Sequence, residues 1–238
     1  MKNFFKPSQY YSQYAQDLLL NEVLFKGKQN GFFLDIGAHD GITLSNSCFF
    51  EKEMGWTGIC VEPIPEVFAR LQQNRVATLV NGCITDMDGD IVFTRITGYS
   101  EMLSGITKQQ DEKHLDRINR EIAEKGGSVE QIVVAGISLR SLFIQQQVPL
   151  IDFVSIDTEG NELPIIESFP FDLVQPKIFL VENNNKNNTV KNLLAKQGYQ
   201  KIIKAGDHFF YRGDISAGLR WNLLLFRIKK MLKIVGKK

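Results

Sequence analysis

Short apolar runs alternate with amphipathic stretches along most of the chain. Runs of four to seven largely apolar residues predict buried strands, and the stretches between them have the apolar spacing of helices. Strands that alternate with helices are typical of a parallel sheet covered by helices on both faces, so the pattern predicts an α/β fold. The predicted strands are 32–36, 58–62, 78–84, 91–94, 132–137, 151–157 and 178–182, and the predicted helices are 43–54, 65–74, 108–125, a short one from 139, and 189–197.

The end of the pattern and its longest interruption define the domain organisation. Strands 201–204 and 209–212 are closely spaced, which predicts an antiparallel hairpin at a sheet edge. Residues 98–128 break the rhythm with a loop and a charged helix, and long insertions of this kind are often lids or binding loops. We therefore expect one domain over residues 1–218, followed by a separate helix over 219–238.

A glycine turn, Asp35-x-Gly37-x-x-x-Gly41, closes the first predicted strand. Open α/β sheets bind ligands at the carboxyl ends of their strands, and glycines there permit close approach of an adenosyl ligand. The dinucleotide fingerprint would need glycines at positions 39 and 42, where this chain has His39 and Ile42. The spacing therefore argues against a nicotinamide dinucleotide, and an ordinary glycine turn remains the alternative.

Glu62 and the segment around Ile84 extend this candidate site. Glu62 ends the second strand, 21 positions beyond Gly41, where a carboxylate is placed to accept both hydroxyls of a ribose. The alternative is that Glu62 caps the following helix or faces solvent. Residues 83–86 close the third strand and are placed to bracket an adenine through the backbone and Ile84, although a simple strand-to-turn transition explains the same residues.

Acidic residues follow two further strands that we expect to be neighbours. Asp157 and Glu159 come directly after one strand, and Glu182 and Asn183 end the next. Charges this close to a core are costly unless they are paired with a ligand, a metal or hydrogen-bond donors. Asp157, Glu182 and Asn183 could hold Mg²⁺ or another hard cation. The alternative is a hydrogen-bonded polar cluster that binds substrate directly.

Taken together, these motifs resemble those of the FkbM-type methyltransferase family. The Ser-x-Asp-x-Glu-Gly-x-Glu element is the most specific match, and the glycine turn is shared by many methyltransferases. The resemblance extends from about Ser12 to Arg212 and includes elements at 12–17 and 98–102. The motifs that carry it are Phe33–Gly41, Gly55–Pro63, Ser155–Glu162 and Val181–Asn183.

The resemblance implies a class I, Rossmann-like methyltransferase fold with seven strands, and S-adenosylmethionine as methyl donor. It implies O-methylation of a hydroxyl, often on a sugar, glycan or secondary metabolite. It places the methionine portion at 35–41, the ribose at Glu62 and the reactive methyl beside Asp157. The family often has asparagine at the position of His39. A histidine there keeps a hydrogen-bonding role and could make cofactor binding depend on pH. The predicted cofactor-binding residues are Asp35, Gly37, Ala38, His39, Asp40, Gly41, Glu62, Pro63, Ile84 and Asp157.

Methyl transfer to a hydroxyl is an in-line displacement, for which the protein aligns the oxygen and removes its proton. Asp157, Glu159, Glu182 and Asn183 form the predicted catalytic set. His114 and His208 are alternative bases, although each also fits an ordinary surface histidine. The insertion is polar enough to cover a glycan, or is simply a solvated amphipathic helix; its polar residues are Glu101, Asp111, His114, Arg117 and Arg120.

The near-neutral charge of the chain hides two oppositely charged parts. A net charge of +1 argues against a nucleic-acid partner. Residues 219–238 carry seven of the 28 basic residues and no acid, so the remainder has 21 basic against 27 acidic residues. The tail predicts a helix with an apolar stripe, Trp221, Leu224, Leu225, Ile228, Met231, Leu232 and Val235, and a basic face, Arg220, Arg227, Lys229, Lys230, Lys233 and Lys237.

Such a helix lies on an anionic membrane surface or docks on the domain or on a partner subunit. Three cysteines without a C-x-x-C pair favour a reducing, cytoplasmic location, and we expect no signal peptide and no transmembrane helix. The function classes that compete with the enzyme are a non-catalytic glycan- or adenosyl-binding module and an NAD(P)-dependent oxidoreductase. The oxidoreductase expects the glycine spacing that this chain lacks.

Overall fold

The computed structural model describes residues 10–109, 112–182 and 188–232. The strands in these ranges are β1 (Phe32–Ile36), β2 (Thr57–Glu62), β3 (Thr78–Asn81), β4 (Cys83–Thr85), β5 (Gly89–Ile96), β6 (Gly105–Ile106), β7 (Val129–Ser138), β8 (Phe153–Ile156), β9 (Ile178–Val181), β10 (Tyr199–Ala205) and β11 (Asp207–Arg212). The helices are α1 (Gln16–Leu18), which continues as a π-helix (Leu19–Leu24), α2 (Cys48–Met54), α3 (Pro65–Asn74), α4 (Glu112–Lys125), α5 (Leu139–Gln145), α6 (Glu162–Glu167), α7 (Thr189–Lys196) and α8 (Ala217–Met231).

Seven of these strands form the main sheet, in the order β3-β2-β1-β8-β9-β11-β10. The first five strands in this order are parallel to one another, and β11 pairs antiparallel with both β9 and β10. The predicted architecture, a mostly parallel seven-stranded sheet with an antiparallel hairpin, is therefore confirmed. Within this hairpin only β10 is an edge strand, because β11 lies between β10 and β9.

A second, four-stranded sheet, β4-β7-β5-β6, was not expected from the sequence. The prediction of one strand over 78–84 is wrong, because the chain changes sheets at Gly82. A Cβ atom on Gly82 would lie 2.9 Å from the backbone oxygen of Ala135, so β7 passes too close for a side chain there. The predicted runs 91–94 and 132–137 lie within β5 and β7, which pair antiparallel. The 98–128 insertion connects the end of β5 to the start of β7.

The predicted helix over 43–54 begins only at Cys48. The preceding residues are held in a turn, because the Asp40 carboxylate accepts the N–H groups of Ile42 and Thr43 at 2.9 and 2.7 Å. Leu44 has a left-handed backbone with φ of 58°, which a helix cannot contain. The irregular segment 43–47 thereby becomes available to line a site at the end of β1.

Two apolar clusters cover the two faces of the main sheet. On one face, Leu142 of α5 and Leu194 of α7 belong to the buried cluster. On the other face, Leu19 of the π-helix, Phe50 of α2 and Phe226 of α8 pack in the second cluster. With both faces covered by helices, the carboxyl ends of the parallel strands are the place for a ligand site.

Candidate active site

A cavity of about 820 Å³ lies at the carboxyl ends of β1, β2 and β8. Loops after these strands form its walls, as expected for a ligand site in an open parallel sheet. Asn183 lies outside the described residues, and Asp40 and Gly41 lie behind the lining. The cavity brings together the other predicted site residues: Asp35, Gly37, Ala38, His39, Glu62, Pro63, Ile84, Asp157, Glu159 and Glu182.

Gly37 joins the ends of β1 and β8 more closely than any other residue type would permit. Its φ is 86°, and a Cβ atom at this position would lie 1.8 Å from the backbone oxygen of Asp157. The N–H groups of Gly37 and Ala38 both donate to the oxygen of Val61, at 3.1 and 3.0 Å. The turn is thus fixed against β2 on one side and against Asp157 on the other.

Contacts of Asp35, Asp40 and Gly41 with neighbouring segments stabilise this turn. The Asp35 carboxylate is buried and accepts a 2.5 Å hydrogen bond from the hydroxyl of Ser47, at the start of α2. Burial raises the pKa of Asp40, but hydrogen bonds from His39, Thr43 and the turn backbone outweigh it and lower that pKa overall. A Cβ atom on Gly41 would lie 2.5 Å from side chains of α3 and its C-terminal flank.

Glu62 lies at the end of β2 with only 5% of its surface exposed. Its Oε2 accepts the N–H of His39 at 3.1 Å, and its Oε1 accepts the N–H of Ile64 at 2.9 Å. Burial raises the pKa of Glu62 to about 7, although these hydrogen bonds oppose the shift. Each carboxylate oxygen has capacity for a further donor, which is what a ribose diol supplies.

Asp157, Glu159 and Glu182 form what we call the acid cluster, in which one carboxylate oxygen of each residue lies within 4.8 Å of the others. Asp157 lines the cavity and is exposed toward it. Desolvation by the surrounding protein, followed by the negative charge of Glu182, raises its pKa well above the usual range. Burial, followed by the charge of Asp157, raises the pKa of Glu159 to about 8.

Glu162 holds the loop after β8, which carries Asp157 and Glu159, two of the three members of the acid cluster. Its Oε1 accepts hydrogen bonds from the N–H and the hydroxyl of Thr158, both at 3.0 Å, and from the N–H of Gly160 at 3.1 Å. These bonds hold Glu159 between them with a left-handed backbone, φ 51°. The conformation is uncommon for a residue other than glycine, so the loop geometry is specified by its own side chains.

The sequence model of the methyltransferase FkbM domain matches residues 35–201, which include the glycine turn, Glu62 and the acid cluster. The chain belongs to the FkbM methyltransferase family. Membership implies S-adenosylmethionine as the methyl donor, so the cavity is the candidate cofactor site of a methyltransferase.

Two solved structures resemble the fold of this FkbM methyltransferase. A precorrin-6y C5,15-methyltransferase from Geobacter metallireducens GS-15 is 13% identical with a TM-score of 0.45, over 87% of this chain and 91% of the other. A methyltransferase from Pyrococcus furiosus is 15% identical with a TM-score of 0.39, over 79% and 77%. No curated protein sequence matches the chain.

The side chains that line the cavity suit S-adenosylmethionine. Glu62 offers acceptors for ribose hydroxyls, and Ile84 offers an apolar surface for a base. The Ile84 backbone is anchored because its oxygen accepts the side-chain amide of Asn161 at 2.8 Å. Asn46 adds a buried amide oxygen that has no hydrogen-bond partner among the described residues, while its amide nitrogen donates to Ser155. An ammonium group would satisfy that oxygen.

Several cavity residues were not singled out from the sequence. The amide of Gln16 donates to the carboxylate of Asp207 at 3.0 Å, and both residues are buried. Asn46, Tyr14 and Lys204 also line the cavity. The early Gln16-Asp17 element of the family was the only sequence signal for any of them, because Asp207 and Lys204 lie in a hairpin whose turn carries no recognised motif.

The 98–128 insertion forms one wall of the cavity through both of its parts. Arg117 of α4 lies 3.7 Å from Glu159 and donates to Glu121 at 3.0 Å. Glu121 also accepts the hydroxyl of Ser100 at 2.8 Å. The insertion therefore brings a positive charge to the acid cluster. Among its other predicted polar residues, Arg120 is exposed, and Asp111 and the side chain of His114 lie outside the described residues.

Two described histidines have different environments. His39 lines the cavity, and its Nε2 lies 2.9 Å from Glu101 Oε1, which also pairs with Arg70. Burial opposes protonation of His39, but Asp40 and Glu101 together raise its pKa. His208 on β11 lies away from the cavity lining, and burial followed by nearby lysines lowers its pKa to about 4. His39 is thus the histidine that connects the glycine turn to the insertion.

Proposed function

We propose that this FkbM methyltransferase transfers the methyl group of S-adenosylmethionine to a hydroxyl of a sugar, glycan or related secondary metabolite. The acid cluster is the observation that carries the proposal. A hydroxyl oxygen must lose its proton as it attacks a methyl group, and carboxylates at the carboxyl ends of central strands are suited to accept it. The family membership and the polar cavity support the same conclusion.

Four parts of the cavity are proposed to hold the cofactor. Glu62 accepts the ribose hydroxyls, Ile84 contacts the adenine, and the Asn46 amide oxygen accepts the ammonium group. The glycine turn at Gly37 leaves room for the methionine portion next to Asp157. When bound, S-adenosylmethionine supplies an electrophilic methyl group on a positively charged sulfur.

The acid cluster is proposed to act as the general base. With the pKa of Glu159 at about 8, the cluster retains protons near neutral pH and competes well for the proton of a hydroxyl once it is ionised. A positive charge bound in the cavity favours the ionised carboxylates, and Arg117 at 3.7 Å from Glu159 acts in the same direction. Binding of the cationic donor would therefore prepare the base.

The acceptor is proposed to be rich in hydroxyl groups. Beyond the cofactor residues, the lining includes Gln16, Asp207, Lys204 and Arg117, whose amide, carboxylate and cationic groups can exchange hydrogen bonds with sugar hydroxyls. Tyr14 adds an aromatic ring to the lining. An apolar acceptor would take these polar and charged groups out of water without giving them new hydrogen-bond partners, which costs free energy.

A divalent cation is the alternative occupant of the acid cluster. Asp157 and Glu182 are two of the three predicted ligands, and the third, Asn183, lies outside the described residues. We assign protons to the cluster instead, because Arg117 already supplies positive charge beside Glu159.

Mass spectrometry of host glycans from cells with and without the protein tests the proposal. Cells with the protein are expected to contain a glycan that is heavier by one methyl group, and cells carrying Asp157→Asn are expected to lack it. Identical glycan profiles, with methylation found instead on a nitrogen or carbon of another metabolite, would contradict O-methylation. Cofactor binding without methylation of any metabolite would leave only the non-catalytic binding module.

A further inference from the structure

Helix α8 has two apolar faces, of which the fold uses one. Leu223 and Phe226 are 6% and 4% exposed and pack in the cluster that contains the π-helix. At about 100° per residue, a second set of apolar residues lies on the opposite side of the helix. That set, which we call the outer stripe, consists of Trp221, Leu224, Leu225, Ile228, Met231 and Leu232, with exposed fractions of 59, 43, 36, 43, 81 and 64%.

The outer stripe is the one predicted from the sequence, apart from Val235, which lies outside the described residues together with Lys233 and Lys237. The prediction left open whether this stripe docks on the domain. In the structure the domain is contacted by the other face, through Leu223 and Phe226, so the two alternatives are not exclusive: the helix docks and still presents an apolar surface.

Basic residues border the outer stripe on both sides. On the helical wheel, Arg220 and Arg227 lie along one border and Lys229 along the other, and all three are exposed. The helix from Ala217 to Met231 contains no acidic residue, whereas residues 1–218 carry 27 acidic against 21 basic residues. Positive charge is thus concentrated around the apolar face of α8 that points away from the protein.

The docked face of α8 also connects to the cavity. Lys230 donates to the backbone oxygen of Tyr14 at 3.2 Å, and its ammonium group lies 5.3 Å from the centre of the Tyr14 ring. Tyr14 lines the cavity. The C-terminal half of the helix is therefore fixed beside the cavity wall.

We propose that the outer stripe binds the surface of an anionic lipid bilayer, with α8 lying in the plane of the headgroups. An apolar stripe with a tryptophan, bordered by lysine and arginine, has the chemistry of an interfacial helix. The basic borders complement anionic headgroups. They also disfavour a second copy of this chain as the occupant, because two such helices would bring like charges together. Within the described residues, no helix is long and apolar enough to cross the bilayer.

Vesicle co-sedimentation of the full chain tests this proposal. Wild type is expected to pellet with phosphatidylcholine vesicles that contain about 30% phosphatidylglycerol, and to stay in solution with phosphatidylcholine alone. The triple variant Trp221→Ser, Ile228→Ser, Met231→Ser should lower the partition coefficient at least about tenfold. Arg227→Gln with Lys229→Gln should weaken binding, and about 0.5 M salt should have a similar effect.

Matched controls separate the outer stripe from general surface hydrophobicity. Val76, Met87 and Leu150 are exposed apolar residues away from α8, at 92, 71 and 74%. Their replacement by serine should leave the pelleting unchanged. Brominated phospholipids should quench the fluorescence of exposed Trp221. The quenching can be assigned to this residue because the other tryptophan, Trp56, is only 2% exposed.

Three results would overturn the proposal. The first is equal pelleting of wild type and the stripe variant. The second is absence of pelleting with anionic vesicles. The third is a dimer, measured by light scattering without lipid, that the stripe variant abolishes, which would assign the stripe to a second copy. Equal circular dichroism spectra and thermal unfolding midpoints of wild type and the stripe variant show that the substitutions leave the fold intact, so a difference in pelleting reports on the stripe.

Discussion

Glu62 is the residue whose role can be tested with the fewest assumptions, because it is buried and both of its oxygens are already oriented by backbone N–H groups. Glu62→Gln replaces one acceptor by a donor. We expect the dissociation constants of S-adenosylmethionine and S-adenosylhomocysteine to rise equally, by about 10- to 100-fold, since both contain the ribose. Calorimetric titration measures both values.

Glu124→Gln is the matched control for Glu62, because Glu124 is an exposed glutamate on α4. Its affinities for both ligands should equal those of wild type. Unchanged binding by Glu62→Gln would remove Glu62 from the cofactor site.

The acid cluster predicts how the rate depends on pH. Because burial and neighbouring negative charge raise the pKa of Glu159 to about 8, the base is protonated below that pH and inactive. The value of kcat/KM should therefore rise as pH increases from 6 to 9, by about tenfold per pH unit below the pKa. The midpoint of the kcat profile should lie lower, since the bound cation favours ionised carboxylates.

Glu159→Gln removes one of the interacting carboxyls of the acid cluster, so the pH dependence of kcat/KM should change. Glu124→Gln should leave that pH dependence unchanged. A profile of wild type that is flat between pH 6 and pH 9 would show that no group of the acid cluster acts as the base.

The same cluster predicts the response to metal removal. If it holds protons, exhaustive dialysis against a chelator should leave kcat and KM unchanged. The cluster would be assigned to a divalent cation if chelation removed the activity and Mg²⁺ restored it in wild type but not in Glu182→Gln.

At the scale of elements, the contact between the turn after β1 and the end of β8 is the joint on which the cavity depends. Gly37→Ala would place a Cβ atom 1.8 Å from the Asp157 oxygen, so the two strand ends must separate. We expect a loss of about 3 kcal/mol or more in the free energy of unfolding, together with loss of cofactor binding. Urea denaturation measures the first quantity.

Gly27→Ala is the control for backbone strain alone, because Gly27 has a similar positive φ of 74° and no atom within 4 Å of the added Cβ. It should cost only about 1 kcal/mol and leave the site intact. Equal costs for the two variants would mean that the contact with Asp157 does not matter.

The strands and the site residues also show which features of the fold can be predicted from the sequence. Apolar runs located the strands of the main sheet, because burial on both faces leaves a clear signal in 32–36 or 178–182. The same signal cannot say which sheet a run joins, so β4, β5 and β7 were not recognised as a second sheet. Motif spacing located Glu62 and the acid cluster, whereas Asn46 and Asp207 depend on long-range contacts that no local pattern contains.

At the scale of the whole molecule, the chain combines an acidic body that holds the cavity with a basic helix that presents the outer stripe. The family membership, the strand order and the cavity at the carboxyl ends of the strands agree on a methyltransferase. Composition gave a net charge of +1 because these two parts cancel. The fold separates them, since α8 docks through Leu223 and Phe226 and leaves Arg220, Arg227 and Lys229 exposed.

The central claim is that the cavity holds S-adenosylmethionine with its cationic sulfur beside the acid cluster. Calorimetry in buffers of different ionisation enthalpy tests this most directly, because it measures binding and proton release together. We predict that at pH 7 both S-adenosylmethionine and S-adenosylhomocysteine bind, and that only the cationic donor releases protons from the cluster. The account would be contradicted if neither ligand bound the intact protein, or if both bound with identical proton release.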